Sequence, residues 1–332
     1  MEIVTRILFI GGTGTISSAC SQLAIDRGFD LTLLNRKTSI RQAPPEARII
    51  QADIRDPSSV SSLLSGQKFD VVVDWVAYTP EQVQIDLDLF RDRTDQYVFI
   101  SSASIYQKPP ASLPITESTF LDNPYWEYSR NKIACEELLI QVYKKDKYPV
   151  TIVRPSHTYD QTLFPFHGGW SIVDRMQKGL PVIIHGDGTS LWTLTHHRDF
   201  AKGFIGLLGN AQAIGDVFHI TSDEWLTWNQ IYQLIAHAAG CVCNPIHIPS
   251  DFINQFDPHW GSSLLGDKSH SVIFDNSKIK RIVPGYKADI PFSRGAHEVV
   301  DWYLADPGRQ KIDHDFMKIY DRIISAYLNQ GI

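Results

Sequence analysis

No stretch of this 332-residue chain reaches the about 18 consecutive apolar residues that a membrane-crossing helix needs. The first residues lead within a few positions into a strand pattern, so neither a membrane span nor a signal peptide is expected, and the expected location is the cytoplasm. Cysteine is scarce: Cys20, Cys135, Cys241 and Cys243 are too few to scaffold a chain of this length with disulfides. Cys241 and Cys243 lack a second Cys/His pair at zinc-site spacing. His196 and His197 are adjacent, and neighbours on a helix do not face one point. No metal is expected. Positive charge is not in excess either, since the net charge is −6 and the pI about 6.0. That balance offers no electrostatic footprint for nucleic acid or an anionic membrane. There is no internal repeat or low-complexity tract. What the chain has is 43% hydrophobic residues, enough to bury a large core arranged as two lobes.

The first pattern with chemical content is Arg6 to Ile10, a short apolar run that reads as a buried strand, followed by Gly11, Gly12, Thr13, Gly14 and Thr15 and then by a helical segment from Ile16. Glycines let the backbone turn sharply and approach a pyrophosphate, while the free N–H groups of the new helix face that anion. A second strand, Asp30 to Leu34, ends in Asn35, Arg36 and Lys37. A chain that binds NAD(H) places an acid at this point for the adenosine ribose, whereas a basic residue accommodates a 2′-phosphate. With no acid present and Arg36 able to pair with phosphate, NADP(H) is favoured and NAD(H) remains possible. The alternative is that Arg36 and Lys37 form a solvated turn and Asn35 alone touches ribose.

Further strands are expected at Ala47 to Gln51, Val71 to Trp75, Tyr97 to Ile100 and Val150 to Val153, with helices between them. On the helix expected from about Trp126 to Lys145, Tyr128 and Lys132 stand at i and i+4 on one face, about 5–6 Å apart at Cβ. A free tyrosine has a pKa near ~10, and an adjacent ammonium lowers it toward phenolate, which makes a proton donor and acceptor. Ser102, at the end of the strand from Tyr97, is placed to hold the oxygen that gains or loses the proton.

These residues together resemble the extended short-chain dehydrogenase/reductases, the group of nucleotide-sugar epimerases and dehydratases, from about Arg6 to Tyr303. The resemblance implies an α/β fold: a Rossmann-like, doubly wound parallel sheet over residues 1–160, with the chain crossing back near 185–220. A smaller C-terminal α/β lobe for substrate would occupy most of 161–332. It implies catalytic roles for Ser102, Tyr128 and Lys132, with Lys132 also on the cofactor ribose. Asp53 and Ile54 match the segment whose acid meets the adenine amino group, although Asp53 can instead cap the helix beginning near Pro57. Ala77 lies where the family runs its backbone along the cofactor, and Tyr78 faces either the cleft or ordinary packing. Pro155 and His157 match the turn beside the nicotinamide, His157 touching substrate or carboxamide or making only a structural hydrogen bond. Thr227 and the segment Asp275 to Lys278 match later landmarks, and a homodimer packed through the helices before Tyr97 and after Trp126 is implied.

The family pattern also breaks in informative places. Ser17 stands where a third glycine is usual, so a looser seam between helix and strand is expected. Ala103 and Ser104 replace the Asp-Glu pair of sugar 4,6-dehydratases, which disfavours elimination of a hydroxyl. Trp192 and Leu264 stand where two arginines would clamp a substrate diphosphate, with Arg294 or Arg281 candidates to replace them. A less charged sugar or polyol ring is therefore expected, faced by Trp170, Trp192 and Trp225. The reaction expected is hydride transfer between a nicotinamide and a hydroxyl or carbonyl carbon. The alternatives are an epimerase with tightly held NAD and, from another class, a non-catalytic dinucleotide- or RNA-binding protein.

Overall fold

In the computed structural model, which describes residues 4–329, seven strands form one fully parallel sheet. The first six are β1 (Arg6–Ile10), β2 (Asp30–Asn35), β3 (Arg48–Gln51), β4 (Phe69–Asp74), β5 (Thr94–Ile100) and β6 (Val150–Pro155). The seventh, Val217–Ile220, pairs with β6 and completes the spatial order seventh strand, β6, β5, β4, β1, β2, β3. The order reverses between β1 and β4, and in open α/β sheets the crevice beyond the carboxyl ends of the strands at such a reversal is where ligands bind.

Both faces of this sheet are covered, which is why its strands read as continuous apolar runs instead of alternating ones. Ile7 and Phe9 of β1 join Val71 and Val73 of β4 in one core, closed by α1 (Ser17–Asp26) and by the later helix His197–Ile205 through Phe200 and Phe204. Leu8 and Ile10 point the other way, into a core closed by α2 (Pro57–Leu63), α3 (Pro80–Phe90) and α4 (Glu127–Asp146). Within the stretch from 185 to 220, the helix His197–Ile205 and the strand Val217–Ile220 return to the first lobe, supplying one face and the edge of the sheet, while residues 191–196 stay with the second.

A third core fills the second lobe, from Tyr159 through Trp228 and Val299 to Tyr320. Three two-stranded ladders stiffen it: His157–Tyr159 with Leu194–His196, Leu191–Trp192 with Leu226–Thr227, and Val182–His185 with Pro245–Ile248. The helix Trp228–Ala238 begins in a capping box in which Thr227 and Gln230 satisfy each other's backbone N–H groups. No described helix is long and apolar enough to cross a membrane.

Candidate active site

Two cavities meet at the carboxyl end of the sheet. The larger, about 610 Å³, runs from the glycine turn past the end of β2 to Tyr128 and Lys132. The smaller, about 260 Å³, lies between Ser102 and the second lobe, and Tyr128 and Pro155 border both.

The glycine turn is built as the sequence reading requires. Gly11 and Gly12 have φ of +105° and +92°, which L side chains rarely adopt, and a Cβ on Gly12 would lie 2.6 Å from a Leu33 methyl. Thr13, Gly14, Thr15 and Ile16 line the larger cavity. Ile16 precedes α1 without capping its amides. Ser17 does not loosen the helix seam. It is buried, and its Oγ accepts the Gly14 N–H at 2.8 Å, because serine can fill the small space and add a bond where glycine would leave neither.

At the far end, Asn35, Arg36, Asp53 and Ile54 line the same cavity. Asn35 Oδ1 accepts from the Lys37 amide, and Arg36 is two-thirds exposed with its nearest carboxylate, Asp53, at 3.8 Å. Asp53 does not cap α2; Asp56 does, accepting from Ser59 N. The residues fit a dinucleotide on two further counts. The Ser101 hydroxyl, bordering the cavity, is buried without a hydrogen-bond partner among the described residues, and the uncapped amides of α1 open toward the glycine turn.

Tyr128 and Lys132 sit one turn apart on α4. Lys132 is buried, with Nζ donating to Ala77 O and Ile100 O at 2.7 Å each. Ala77 therefore acts here through its carbonyl. That carbonyl is oriented by Asp74, whose Oδ1 accepts from the amides of Val76 and Ala77. Burial lowers the Lys132 pKa to about 8, with the Asp74 charge opposing. Tyr128 departs from the expected phenolate: burial pushes it up to about 12, the Ser102 hydroxyl pulling the other way. The ammonium is 6.0 Å from the centre of the tyrosine ring and spends its donors on two carbonyls, so desolvation of the phenol outweighs it.

Ser102 belongs to the smaller cavity and starts a run of hydroxyls, Ser102 Oγ to Ser104 Oγ at 2.9 Å and Ser104 Oγ to Ser129 Oγ at 2.8 Å. His157 and Trp192 border the same cavity, with the indole N–H donating to His157 Nδ1 at 3.1 Å. A neutral imidazole whose Nδ1 accepts carries its proton on Nε2. Burial, aided by the Lys268 charge, lowers the His157 pKa to about 3 and keeps it neutral. Tyr78 borders the larger cavity, half exposed, with its ring 6.0 Å from that of Tyr128.

Trp170 corrects the sequence reading. It is buried in the second-lobe core, stacked on Tyr303 at 5.4 Å, and borders neither cavity. The aromatic loop preceding it packs inward because Phe164 and Phe166 stack on one another and on Tyr303 and Tyr232. Trp225 is likewise outside both cavities.

Neither arginine named as a candidate replacement for the diphosphate clamp enters the site. Leu264 is buried in the core, Arg294 pairs with Glu298, and neither Arg281 nor Arg294 reaches the smaller cavity. Yet Lys108, Asp267 and Lys268 border it. Lys108 and Lys268 were missed because they belong to no motif and lie far apart in sequence. Asn123 brings them together: its Nδ2 donates to Ser104 O and Gly266 O, and its Oδ1 accepts from the amides of Tyr125 and Trp126.

A parallel sheet whose glycine turn opens on a cleft at the strand-order reversal defines a dinucleotide-binding α/β protein. More narrowly, the chain belongs to the NAD dependent epimerase/dehydratase family, whose model matches residues 7–221. Among curated proteins it is 24% identical over 299 residues to 2′-dehydrokanamycin reductase of Streptomyces kanamyceticus, covering 86% of this chain and 81% of that protein. It is 28% identical over 320 residues to the chloroplast stem-loop binding protein of 41 kDa b of Arabidopsis thaliana, covering 92% and 80%. Among solved structures, UDP-glucose 4-epimerase from Bifidobacterium longum in complex with NAD+ and UDP superposes with a TM-score of 0.73 at 18% identity, covering 92% of this chain and 100% of that one.

Proposed function

We propose that the chain is an NADP(H)-preferring oxidoreductase acting on a hydroxyl or carbonyl carbon of a small, sugar-like molecule. One observation carries the reading: Tyr128 borders two cavities at once, with Lys132 and the glycine turn on one side and Ser102 on the other. A bound nicotinamide dinucleotide would supply the hydride donor or acceptor. The chain's own residues supply the rest. The glycine turn and the start of α1 receive the pyrophosphate, Lys132 takes the ribose, Ser102 orients the substrate oxygen and Tyr128 exchanges its proton. A phenol held protonated up to about pH 12 is a proton donor to a carbonyl oxygen, which favours reduction. Arg36 favours NADP(H), because it is exposed and only loosely engaged by Asp53.

The test is stoichiometry. Incubated with a carbonyl substrate and NADPH, the protein should consume one cofactor per product, read at the nicotinamide absorbance. Inversion of a substrate carbon with no net absorbance change would replace this reading with the epimerase one, for which the UDP-glucose 4-epimerase of similar fold speaks. Against a stem-loop-binding role stand the net charge of −6 and the complete Ser102, Tyr128 and Lys132 set. RNA affinity falling steeply with salt would reopen it. A homodimer through α3 and α4 is supported by the half-buried Ile85, Leu89, Leu138 and Val142 on these helices; light scattering would give twice the chain mass.

A further inference from the structure

The smaller cavity contains more charge than hydride and proton transfer require. Lys108 has a fully buried side chain, and its Nζ is 3.1 Å from Asp267 Oδ1 without the geometry of a hydrogen bond to any group among the described residues. An ammonium has three N–H donors, and leaving them unmatched away from water is costly. Lys268 approaches from a π-helical turn, Leu264–Lys268. Its carbonyl accepts from His185 Nε2, Ser190 Oγ and Trp228 Nε1, so its backbone is fixed. Its Nζ lies 5.7 Å and 6.0 Å from the ring centres of Trp126 and Trp192. Two ammonium groups and one carboxylate give this cavity a net charge of +1, since His157 stays neutral.

We propose, resting on the oxidoreductase reading above, that the substrate is of the sugar-acid class: a polyhydroxylated ring or chain with a single carboxylate, held by Lys108 and Lys268. One negative charge balances the cavity, whereas a phosphate ester carries about −1.5 to −2 at neutral pH and overshoots it. The cavity, about 260 Å³, has room for a single sugar ring. Trp126 and Trp192 offer flat apolar faces to the ring, while Ser104 and Thr193 offer hydroxyl partners.

The test uses the full chain and its tryptophan fluorescence, because Trp126 and Trp192 border the cavity. D-Glucuronate, D-galacturonate and D-gluconate are titrated against D-glucose, D-galactose and D-glucitol, and against D-glucose 6-phosphate, with and without NADPH or NADH. At least one acid should bind about tenfold or more tightly than its neutral counterpart, the size of a charge-assisted hydrogen bond. That preference should shrink to within about twofold in Lys108→Met and Lys268→Met, with dinucleotide binding unaltered as the check on folding. Should Lys108→Met not fold, Lys268→Met and the comparison of ligands on the unaltered chain still decide. Three acids no tighter than their neutral partners, a preference that survives in Lys268→Met, or a phosphate ester binding most tightly would each overturn the proposal. Absence of dinucleotide binding would instead overturn the oxidoreductase reading, leaving the acid-to-neutral ratio to be read by itself.

Discussion

The two cavities that meet at Tyr128 are made in different ways. The larger is walled by strand ends and the loops directly after them: Gly11 to Thr15 after β1, Asn35 and Arg36 after β2, Asp53 after β3, Tyr78 after β4. Its walls are set by these turns, so its shape follows from the sheet. The smaller is assembled from Ser102, Lys108, Trp126, His157, Trp192 and Lys268, which arrive from both lobes and are tied by single side chains such as Asn123. A fold can keep the first kind of site across many chemistries, while the second can change its specificity by a few substitutions.

Tyr128→Phe breaks this comparison at the shared wall and should have the largest effect. Loss of the proton donor should lower kcat by about 10²–10⁴-fold while the dissociation constant for dinucleotide stays within about twofold, because the glycine turn and Lys132 are untouched. Near-normal turnover by the variant would remove the tyrosine from the mechanism.

The second effect is read with pH. Below about 8 both Tyr128 and Lys132 are protonated; as pH rises through about 8 Lys132 loses its charge while Tyr128, at about 12, keeps its proton. In the reductive direction kcat/KM should therefore be level from mildly acid pH to near 8 and fall above it. Lys132→Met should be slow throughout, bind dinucleotide more weakly, and lack that alkaline limb. A limb that persists in the variant would assign it to another group.

Gly266→Ala sharpens the contrast between the cavities. A Cβ there would lie 2.8 Å from Trp126 Cβ and 3.0 Å from Asn123 Oδ1. Trp126 Cβ is fixed to its backbone and Asn123 Oδ1 is held by the amides of Tyr125 and Trp126, so the cost is that of overpacking, about 1–3 kcal/mol. The strain falls on the turn that carries Asp267 and Lys268. KM for substrate should rise and thermal stability fall, with dinucleotide affinity unchanged within error; equal losses in both cavities would show that they are mechanically one.

The same contrast explains what could be read from the sequence. The order strand, glycine turn, helix is local, and Asn35, Arg36, Asp53 and Ile54 line the larger cavity as expected because the parallel sheet brings these strand ends to one edge; Ala77 does not, its carbonyl being taken by Lys132, and His157 borders the smaller cavity instead. Tyr128 and Lys132 were legible for the same reason, their spacing being a property of one helix. Lys108 and Lys268 were not, because no period or spacing links residues that meet only when two lobes pack. Trp170 misled in the opposite direction. It was expected against a substrate ring, yet Gly168 and Gly169 before it adopt positive φ in a turn that carries the aromatic run into the core. The Tyr128 pKa was misjudged because a spacing shows that two groups are near, whereas the shift depends on how much water each has lost.

Arg36→Ala tests the far end of the larger cavity and should have the smallest effect. A hydrogen bond to a charged group is worth about 1.5–3 kcal/mol, but Arg36 is two-thirds exposed, and solvent screening puts its contribution at the low end. Affinity for NADPH, followed by quenching of tryptophan fluorescence, should weaken roughly tenfold, with NADH affinity unchanged or slightly improved as Asp53 is released from its 3.8 Å contact. The effect on NADPH should shrink as salt is added, because the pair it removes is open to solvent. Equal weakening of both cofactors would mean that Arg36 touches the ribose or adenine common to them. Tighter binding of NADH than NADPH by the unaltered chain would give the ribose to Asn35 and Asp53 and shift the weight of the functional argument toward epimerisation.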